Sequence, residues 1–231
     1  SEVAGEKHRG FFASFQYVTL IAGQLVALCL LLTLQATLGK AALDAWAWRI
    51  PFLIGGVLAV TVFWLRRGLV ETESFRKIEH KALGPRSGFW RLLSEHPRET
   101  VTVMFLTAGG TLAFYAYSIY MQKFLVDTSG FSREAASRIN AGALLVFMCL
   151  QPVVGALSDR VGRKPLMVTF GVLGTLLTYP IFITLENTRD AMTAFLIVTG
   201  ALVIVSGYSA ISGVVKAEMF PAHIRTLGVA L

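Results

Sequence analysis

Charged side chains are scarce and unevenly placed in this sequence of 231 residues. Asp, Glu, Lys and Arg make up 15% of it, whereas they make up about 25% of a typical soluble domain. Only two cysteines are present, which excludes a scaffold held together by many disulfides. Hydrophobic residues account for 55% and the mean hydropathy is +0.63, which excludes intrinsic disorder. The composition therefore indicates a membrane protein or part of one.

Six stretches contain no Asp, Glu, Lys or Arg, and together they hold 135 of the 231 residues. They are residues 10–39, 50–65, 100–122, 139–158, 165–185 and 191–215. A helix that spans a membrane needs about 20 apolar residues, with a range of about 17–25. Five stretches reach that length, and the second reaches it when residues 46–49 are added. The alternative of a soluble helical protein leaves too little amphipathic surface to cover six buried helices, so we predict an all-α membrane protein with six transmembrane helices.

Basic residues are concentrated on one side of these predicted helices. The connections at residues 1–9, 66–99, 159–164 and 216–226 contain 15 Lys and Arg, and those on the other side contain six. An excess of Lys and Arg near the ends of spans marks the cytoplasmic side. We therefore expect these four segments to be cytoplasmic. Topology accounts for most of the net charge of +7, so a nucleic-acid partner is not needed to explain it.

The fourth stretch ends in glycines and charged residues with the pattern GxxxDRxGRK. The members of this motif are Gly155, Asp159, Arg160, Gly162, Arg163 and Lys164. A tight turn between two spans favours glycine, and a carboxylate can meet an Arg or the positive N-terminal end of a helix. A merely basic loop would explain the Lys and Arg, but not the two glycines and the aspartate together. The pattern is the signature of the major facilitator superfamily.

Other segments resemble the metabolite:proton symporter family of that superfamily, and most of all its α-ketoglutarate permeases. They are RGFFASFQ at residues 9–16, WRIPF at 48–52, YMQK at 120–123, QP at 151–152 and KAEMFP at 216–221.

The resemblance implies helices 5 to 10 of a twelve-helix fold. Residues 1–65 would then end the N-terminal half (helices 5 and 6), and residues 66–99 would be the central cytoplasmic loop. Residues 100–231 would hold helices 7 to 10 and the start of helix 11. The sequence begins with Ser1 and ends in an apolar segment, so we expect it to be part of a longer chain.

The function implied by the resemblance is secondary active transport and not enzyme catalysis. The expected activity is proton-coupled symport of a small carboxylate, such as α-ketoglutarate, across the inner membrane, by a monomer without a cofactor, metal or nucleic acid. Proline/betaine, citrate and shikimate remain alternative substrates. An intramembrane enzyme is a weaker alternative, because no GxSxG or HExxH motif is present, and a channel is a second one. No acidic residue or His lies in the six stretches, so a proton-coupling group is expected outside them.

Polar and aromatic side chains form stripes in the third and sixth stretches at about 100° per residue. The candidate substrate contacts on these stripes are Tyr115, Tyr117, Tyr120, Gln122, Lys123, Tyr208, Ser209 and Ser212, and Lys216 continues the last stripe. The resemblance implies that helices 7 and 10 line a central cavity, which favours substrate contact. Comparable stripes around Gln16 and Gln151 fit helix packing equally well, because polar side chains also join membrane helices.

The resemblance also implies a gate on the cytoplasmic side. We expect Arg163 to pair with Glu218, and Asp159 to hold either Arg225 or the N-terminus of a nearby helix.

Overall fold

The computed structural model describes residues 8–67, 93–221 and 228–229, and every regular element within these ranges is a helix. Two five-residue π-helical turns, Leu43–Ala47 and Ala116–Tyr120, lie between α-helices. The α-helices are α1 (Arg9–Ala42), α2 (Arg49–Arg67), α3 (Pro97–Tyr115), α4 (Met121–Asp127), α5 (Arg133–Val161), α6 (Arg163–Asn187), α7 (Ala191–Ser209) and α8 (Ser212–Met219).

Six helical segments in the described residues are long and apolar enough to cross a membrane, as predicted. They are Arg9–Gly39, Leu43–Arg67, Pro97–Asp127, Arg133–Val161, Arg163–Asn187 and Ala191–Met219. Each covers one charge-free stretch and extends beyond it, to between 25 and 31 residues. A 31-residue helix is about 46 Å long, whereas the hydrocarbon core is about 30 Å thick. The added charged residues therefore belong to helix ends in the headgroup layers, which Lys and Arg reach by snorkelling.

The described chain divides into two compact units. The smaller one, residues 24–86, contains the later part of α1, the Leu43–Ala47 π turn and α2. Gly39 has a φ of 71°, which glycine adopts without steric cost, and it ends the regular part of α1. At the two ends of α2, the Arg49 guanidinium lies 5.0 Å from the centre of the Trp48 ring, and that of Arg67 lies 4.5 Å from that of Phe63. Such pairs of cations and aromatic rings are typical of interfacial anchors.

The larger unit, residues 1–23 and 87–231, is built on α7. This helix packs against α5 on one side and α6 on the other. Small residues that are fully buried, among them Ala136, Ala143, Ala194 and Ala201, allow the backbones to approach closely. Close packing of small residues is the main source of helix association in lipid, where water does not drive apolar surfaces together.

One end of the larger unit is closed by hydrogen bonds between its turns. The Ser129 hydroxyl donates to the Leu185 carbonyl (2.8 Å), and the Arg189 guanidinium donates to the Ser129 carbonyl (2.9 Å). Asp190 caps α7 by accepting from the hydroxyl and the backbone N–H of Thr193, both at 2.7 Å. The hydrogen bonds from Thr193 hold the pKa of the Asp190 carboxyl below its ordinary value, and the one from the Thr193 hydroxyl has the largest effect. Residues 123–138 and 186–190 thus share one end, as the alternation of spans predicts.

Candidate functional site

The opposite end of the larger unit gathers the charged residues of the glycine-rich motif. Asp159, in the last turn of α5, accepts hydrogen bonds from the backbone N–H groups of Gly10 (2.9 Å) and Phe11 (3.0 Å). These groups belong to the first turn of α1, whose N–H groups have no partner within the helix. The negative carboxylate also meets the positive end of the helix dipole. The expected contact between Asp159 and the N-terminus of a nearby helix is therefore confirmed; Arg225 lies outside the described residues.

Glycines bring α1 and α5 close enough for this contact. A Cβ atom added to Gly155 would lie 2.6 Å from the Gly10 carbonyl oxygen, and one added to Gly10 would lie 2.6 Å from the Gly155 oxygen. The Ser158 hydroxyl donates to the Gly155 carbonyl (2.7 Å), and the Ser14 hydroxyl donates to that of Phe11 (2.6 Å). Gly155 thus permits a helix crossing. The predicted turn glycine is Gly162, which has a φ of 97° and separates α5 from α6.

Arg163 connects the motif to α8. Its Nη2 atom lies 3.5 Å from Asp159 Oδ1 and 3.5 Å from Glu218 Oε1, so the expected pair with Glu218 is confirmed. The Asp159 side chain is 7% exposed, whereas those of Arg163 and Glu218 are 26% and 42% exposed. The ion pair with Glu218 is therefore the more solvent-exposed of the two contacts. Because water screens the attraction between exposed charges, such a pair is weak and easily broken.

The two remaining basic residues of the motif lie beside this network. Arg160 occupies the last turn of α5, where a cation complements the negative end of the helix dipole. Lys164, in the first turn of α6, lines a cavity of about 360 Å³ together with Arg163, Glu218 and apolar residues of α3, α6 and α8.

A larger cavity of about 520 Å³ lies between α3, α6 and α7. Tyr117 and Tyr120, two of the candidate substrate contacts, are part of its wall. The Tyr117 hydroxyl is 2.8 Å from that of Thr178, and its ring stacks on Phe182 with centroids 5.8 Å apart. The other lining residues are Gly109, Leu112, Ala113, Ala116, Phe170, Gly171, Gly174, Thr175, Ile204 and Val205. The wall described here contains hydroxyls but no charged side chain.

The Ala116–Tyr120 π turn places these two tyrosines, and nothing in the sequence predicted it. The Asn140 amide of α5 donates to the Ser118 carbonyl (3.0 Å), and the Ser118 hydroxyl donates to the Phe114 carbonyl (2.6 Å). Turns of this kind inside α-helices are frequent at functional sites. Sharp bends in helices arise at Pro, at Gly/Ser pairs or at π turns, and residues 116–120 contain neither Pro nor Gly.

The other candidates on the third stretch do not join Tyr117 and Tyr120 in the cavity wall. Tyr115 is exposed, and its ring lies 5.6 Å from that of Phe114. Gln122 donates to the Ser137 hydroxyl (2.7 Å) and so ties α4 to α5. Lys123 is exposed on α4.

The candidates on the sixth stretch face other helices of the larger unit. Tyr208 is 1% exposed, its ring covers Gly110 of α3, and its hydroxyl lies close to Thr107 and Thr111 of the same helix. The Ser209 hydroxyl donates to the Gln151 side chain of α5 (2.9 Å).

Ser212 lies beside a residue that the candidate set had missed. It is buried at the start of α8, and its side chain lies close to the Tyr17 hydroxyl of α1. The Tyr17 ring packs edge-on against Phe114, with centroids 5.5 Å apart. The polar stripe around Gln16 was the only sequence signal for this residue.

Comparison with known proteins agrees with this architecture. The family model described as Major Facilitator Superfamily matches residues 1–230. The "Alpha-ketoglutarate permease" of Escherichia coli (strain K12) is 50% identical over 100% of this chain and 52% of its own length. The "Citrate-proton symporter" of Salmonella typhi is 27% identical over 100% of this chain and 53% of its own. The "Proline/betaine transporter" of Escherichia coli (strain K12) is 27% identical, with coverage of 97% and 47%.

The chain thus spans about half the length of these relatives. No solved structure matches it. The helical architecture, the motif at residues 155–164 and the match over residues 1–230 agree: the chain belongs to the Major Facilitator Superfamily.

Proposed function

We propose that this chain is part of a secondary active transporter that carries a small carboxylate together with protons across the inner membrane, as a monomer. The observation that carries the proposal is the 50% identity, over all 231 residues, to a protein named alpha-ketoglutarate permease. α-Ketoglutarate is therefore the expected substrate. A relative named as a citrate-proton symporter supports protons as the coupling ion. A betaine or proline substrate is the second candidate, supported by a relative of 27% identity.

Uptake by the full-length protein in liposomes tests this function. An inward proton gradient should drive saturable accumulation of radiolabelled α-ketoglutarate, and a protonophore should abolish it, because symport draws on that gradient. Unlabelled α-ketoglutarate, citrate, proline and betaine are the competitors. Stronger competition by proline or betaine than by α-ketoglutarate would favour the second candidate. Ion current without saturable uptake would indicate a channel.

We also propose that the end with the charged network is cytoplasmic, together with residues 1–9, 66–99 and 216–226. The excess of Lys and Arg on this side supports the orientation. Ser87→Cys in a full-length, otherwise Cys-free protein should react with an impermeant maleimide only after cells are permeabilised. The matched position is Ser132→Cys, in the turn before α5, which should react in intact cells. The reverse pattern would invert the topology.

The candidate substrate contacts of the third and sixth stretches stay part of the proposal. Tyr117 and Tyr120 have the strongest support, because both line the larger cavity. Tyr rings offer apolar contact and their hydroxyls can donate to a carboxylate. Lys123 would be the cationic partner of the carboxylate. The alternative is that Tyr117 is only a packing residue, since its hydroxyl already has a partner in Thr178.

Two substitutions that break the same hydrogen bond separate these roles. Tyr117→Phe removes the tyrosine hydroxyl, whereas Thr178→Val removes its partner and leaves that hydroxyl in place. If Tyr117 contacts the substrate, Tyr117→Phe should raise the Kd for α-ketoglutarate about ten- to a hundredfold, the effect of losing one hydrogen bond to a charged group, of about 1.5–3 kcal/mol. Thr178→Val should not weaken binding. Equal effects of both, with equal losses of melting temperature, would assign Tyr117 to packing; Tyr179→Phe, at a ring that is 74% exposed, is the control.

We propose that the charged residues at this end form an inner gate, in which Arg163 pairs with Glu218 and Asp159 holds the N-terminus of α1. Transporters of this kind work by rocking one bundle of helices against another around a binding site. A partly exposed ion pair contributes about 0–1 kcal/mol, whereas full commitment to one conformation takes about 5.5 kcal/mol. A few such contacts can therefore bias the closed state without locking it.

Charge reversal tests the gate. Arg163→Glu should lower the rate of uptake at normal membrane expression, because it replaces attraction with repulsion from Asp159 and Glu218. Adding Glu218→Arg should restore part of the lost rate of uptake. The matched control is the pair of Arg138 and Glu134, which has the same 3.5 Å separation but lies at the other end of α5. Reversing both charges of this pair should change the rate of uptake little. A double variant no faster than Arg163→Glu alone would refute the gate.

A further inference from the structure

Asn140 of α5 is hydrogen bonded to the π turn that carries Tyr117 and Tyr120. Its side-chain amide donates to the Ser118 carbonyl over 3.0 Å. Both partners are buried, with Asn140 3% exposed and Ser118 0% exposed. Because Ser118 lies between the two tyrosines in the sequence, this hydrogen bond fixes the backbone at the centre of the turn.

Only one of the two polar atoms of the Asn140 amide is paired. Its Oδ1 atom is buried and has no hydrogen-bond partner among the described residues. Gln151 of the same helix differs, since its Nε2 donates to the Phe147 carbonyl (3.3 Å) and its Oε1 accepts from Ser209 (2.9 Å). An unpaired buried polar atom costs more free energy than one hydrogen bond between membrane helices contributes. The stability of the bundle therefore does not account for an amide at position 140.

The Ser118 side chain forms a second hydrogen bond, within its own span. Its hydroxyl donates to the Phe114 carbonyl of α3 (2.6 Å). Ser118 is thus held to the preceding turn through its side chain and to α5 through its carbonyl. Sharp bends in helices arise at π turns, so the direction of the side chains in this turn depends on the contacts that fix its backbone.

Other contacts fix the helices on the two sides of the turn. The ring of Tyr208 covers Gly110 of α3, and Gln122 of α4 donates to the Ser137 hydroxyl of α5 (2.7 Å). Neither contact involves a backbone group of residues 116–120. The hydrogen bond to the Ser118 carbonyl therefore adds a constraint that the packing of the flanking helices does not supply.

This constraint acts on the wall of the larger cavity from a helix outside it. The described residues of the wall belong to α3, the π turn, α6 and α7, whereas Asn140 belongs to α5. Tyr117 extends to α6, where its hydroxyl lies 2.8 Å from that of Thr178. A shift of the turn relative to α5 would therefore move the tyrosine relative to the rest of the wall.

We propose that Asn140 is a positioning residue for substrate binding. Its hydrogen bond to the Ser118 carbonyl holds the π turn in the geometry in which Tyr117 and Tyr120 line the cavity. Asn140 does not touch the substrate and acts through the two tyrosines. The inference rests on the proposed function and names a residue outside the cavity on which the affinity for the carboxylate depends.

Binding of α-ketoglutarate to the purified full-length protein tests this role, with calorimetry for the Kd and a melting temperature measured without ligand. Asn140→Leu replaces the amide with an apolar group of similar shape. It should raise the Kd about tenfold, no more than the loss expected for Tyr117→Phe. The melting temperature should change little, because the variant removes the unpaired Oδ1 and leaves the Ser118 carbonyl unpaired in its place.

Ser137→Ala is the matched control. Ser137 is buried on α5, one turn before Asn140, and its hydrogen bond with Gln122 joins the same two spans without reaching the π turn. This variant should keep the wild-type Kd. A wild-type Kd in Asn140→Leu, or an equal rise of the Kd in both variants, would overturn the positioning role.

A fluorine label detects the position of the turn without substrate. Fluorotyrosine at position 117 should change its fluorine chemical shift in Asn140→Leu and keep it in Ser137→Ala, because only the first variant releases the π turn. The same label at Tyr179, whose ring is 74% exposed, should respond to neither. An unchanged shift at position 117 in Asn140→Leu would overturn the positioning role and leave the proposed function intact.

Combining Asn140→Leu with Tyr117→Phe shows whether Asn140 acts through the tyrosine. If it does, the two losses of affinity should be less than multiplicative, since both substitutions disturb the same contact with the substrate. Fully multiplicative losses would overturn the role of Asn140 in positioning Tyr117. A wild type that binds proline but not α-ketoglutarate would overturn the proposed function, and the fluorine shift at position 117 would still decide whether Asn140 positions the tyrosine.

Discussion

The charged end of the larger unit depends on the Asp159 carboxylate. It is nearly buried, accepts two backbone N–H groups from the first turn of α1, and lies 3.5 Å from Arg163. Hydrogen bonds to a charged group contribute about 1.5–3 kcal/mol each, whereas a partly exposed ion pair contributes about 0–1 kcal/mol. The contact of Asp159 with α1 is therefore the stronger of the two, and the pair of Arg163 and Glu218 is the weaker and more exposed one.

Most other polar side chains within the spans serve the packing of the bundle. Gln151 with Ser209, Asn140 with the Ser118 carbonyl, and Gln122 with Ser137 each join two elements. Hydrogen bonds between membrane helices contribute only about 0.6 kcal/mol on average. They set the register of helices that pack through small residues, and do not drive association. This is why a polar stripe alone did not separate a binding site from a helix interface.

The six spans were predictable from the sequence because the bilayer excludes charge from long stretches. Their ends were not, since residues such as Arg9 and Asp127 continue the helices into the headgroup layers. The pair of Arg163 and Glu218 was predicted through a family resemblance and is present. The Ala116–Tyr120 π turn could not be predicted, because it depends on a hydrogen bond from Asn140, a residue that is distant in sequence. The role of Gly155 in the helix crossing could not be predicted for the same reason, because it depends on how closely α1 approaches α5.

Two spans of the larger unit are irregular next to the candidate residues. The segment Pro97–Asp127 contains the Ala116–Tyr120 π turn, and Ala191–Met219 is interrupted between α7 and α8, directly before Ser212. Irregular backbone within a membrane is tolerated only where protein or a water-filled cavity surrounds it. Both irregularities include fully buried residues of the larger unit: Ser118 in the π turn, and Ala210 and Ile211 in the interruption, are each 0% exposed. Sharp bends in helices arise at π turns and similar interruptions. The proposed substrate contacts Tyr117, Tyr120 and Ser212 therefore lie at the points where these two spans depart from a regular helix.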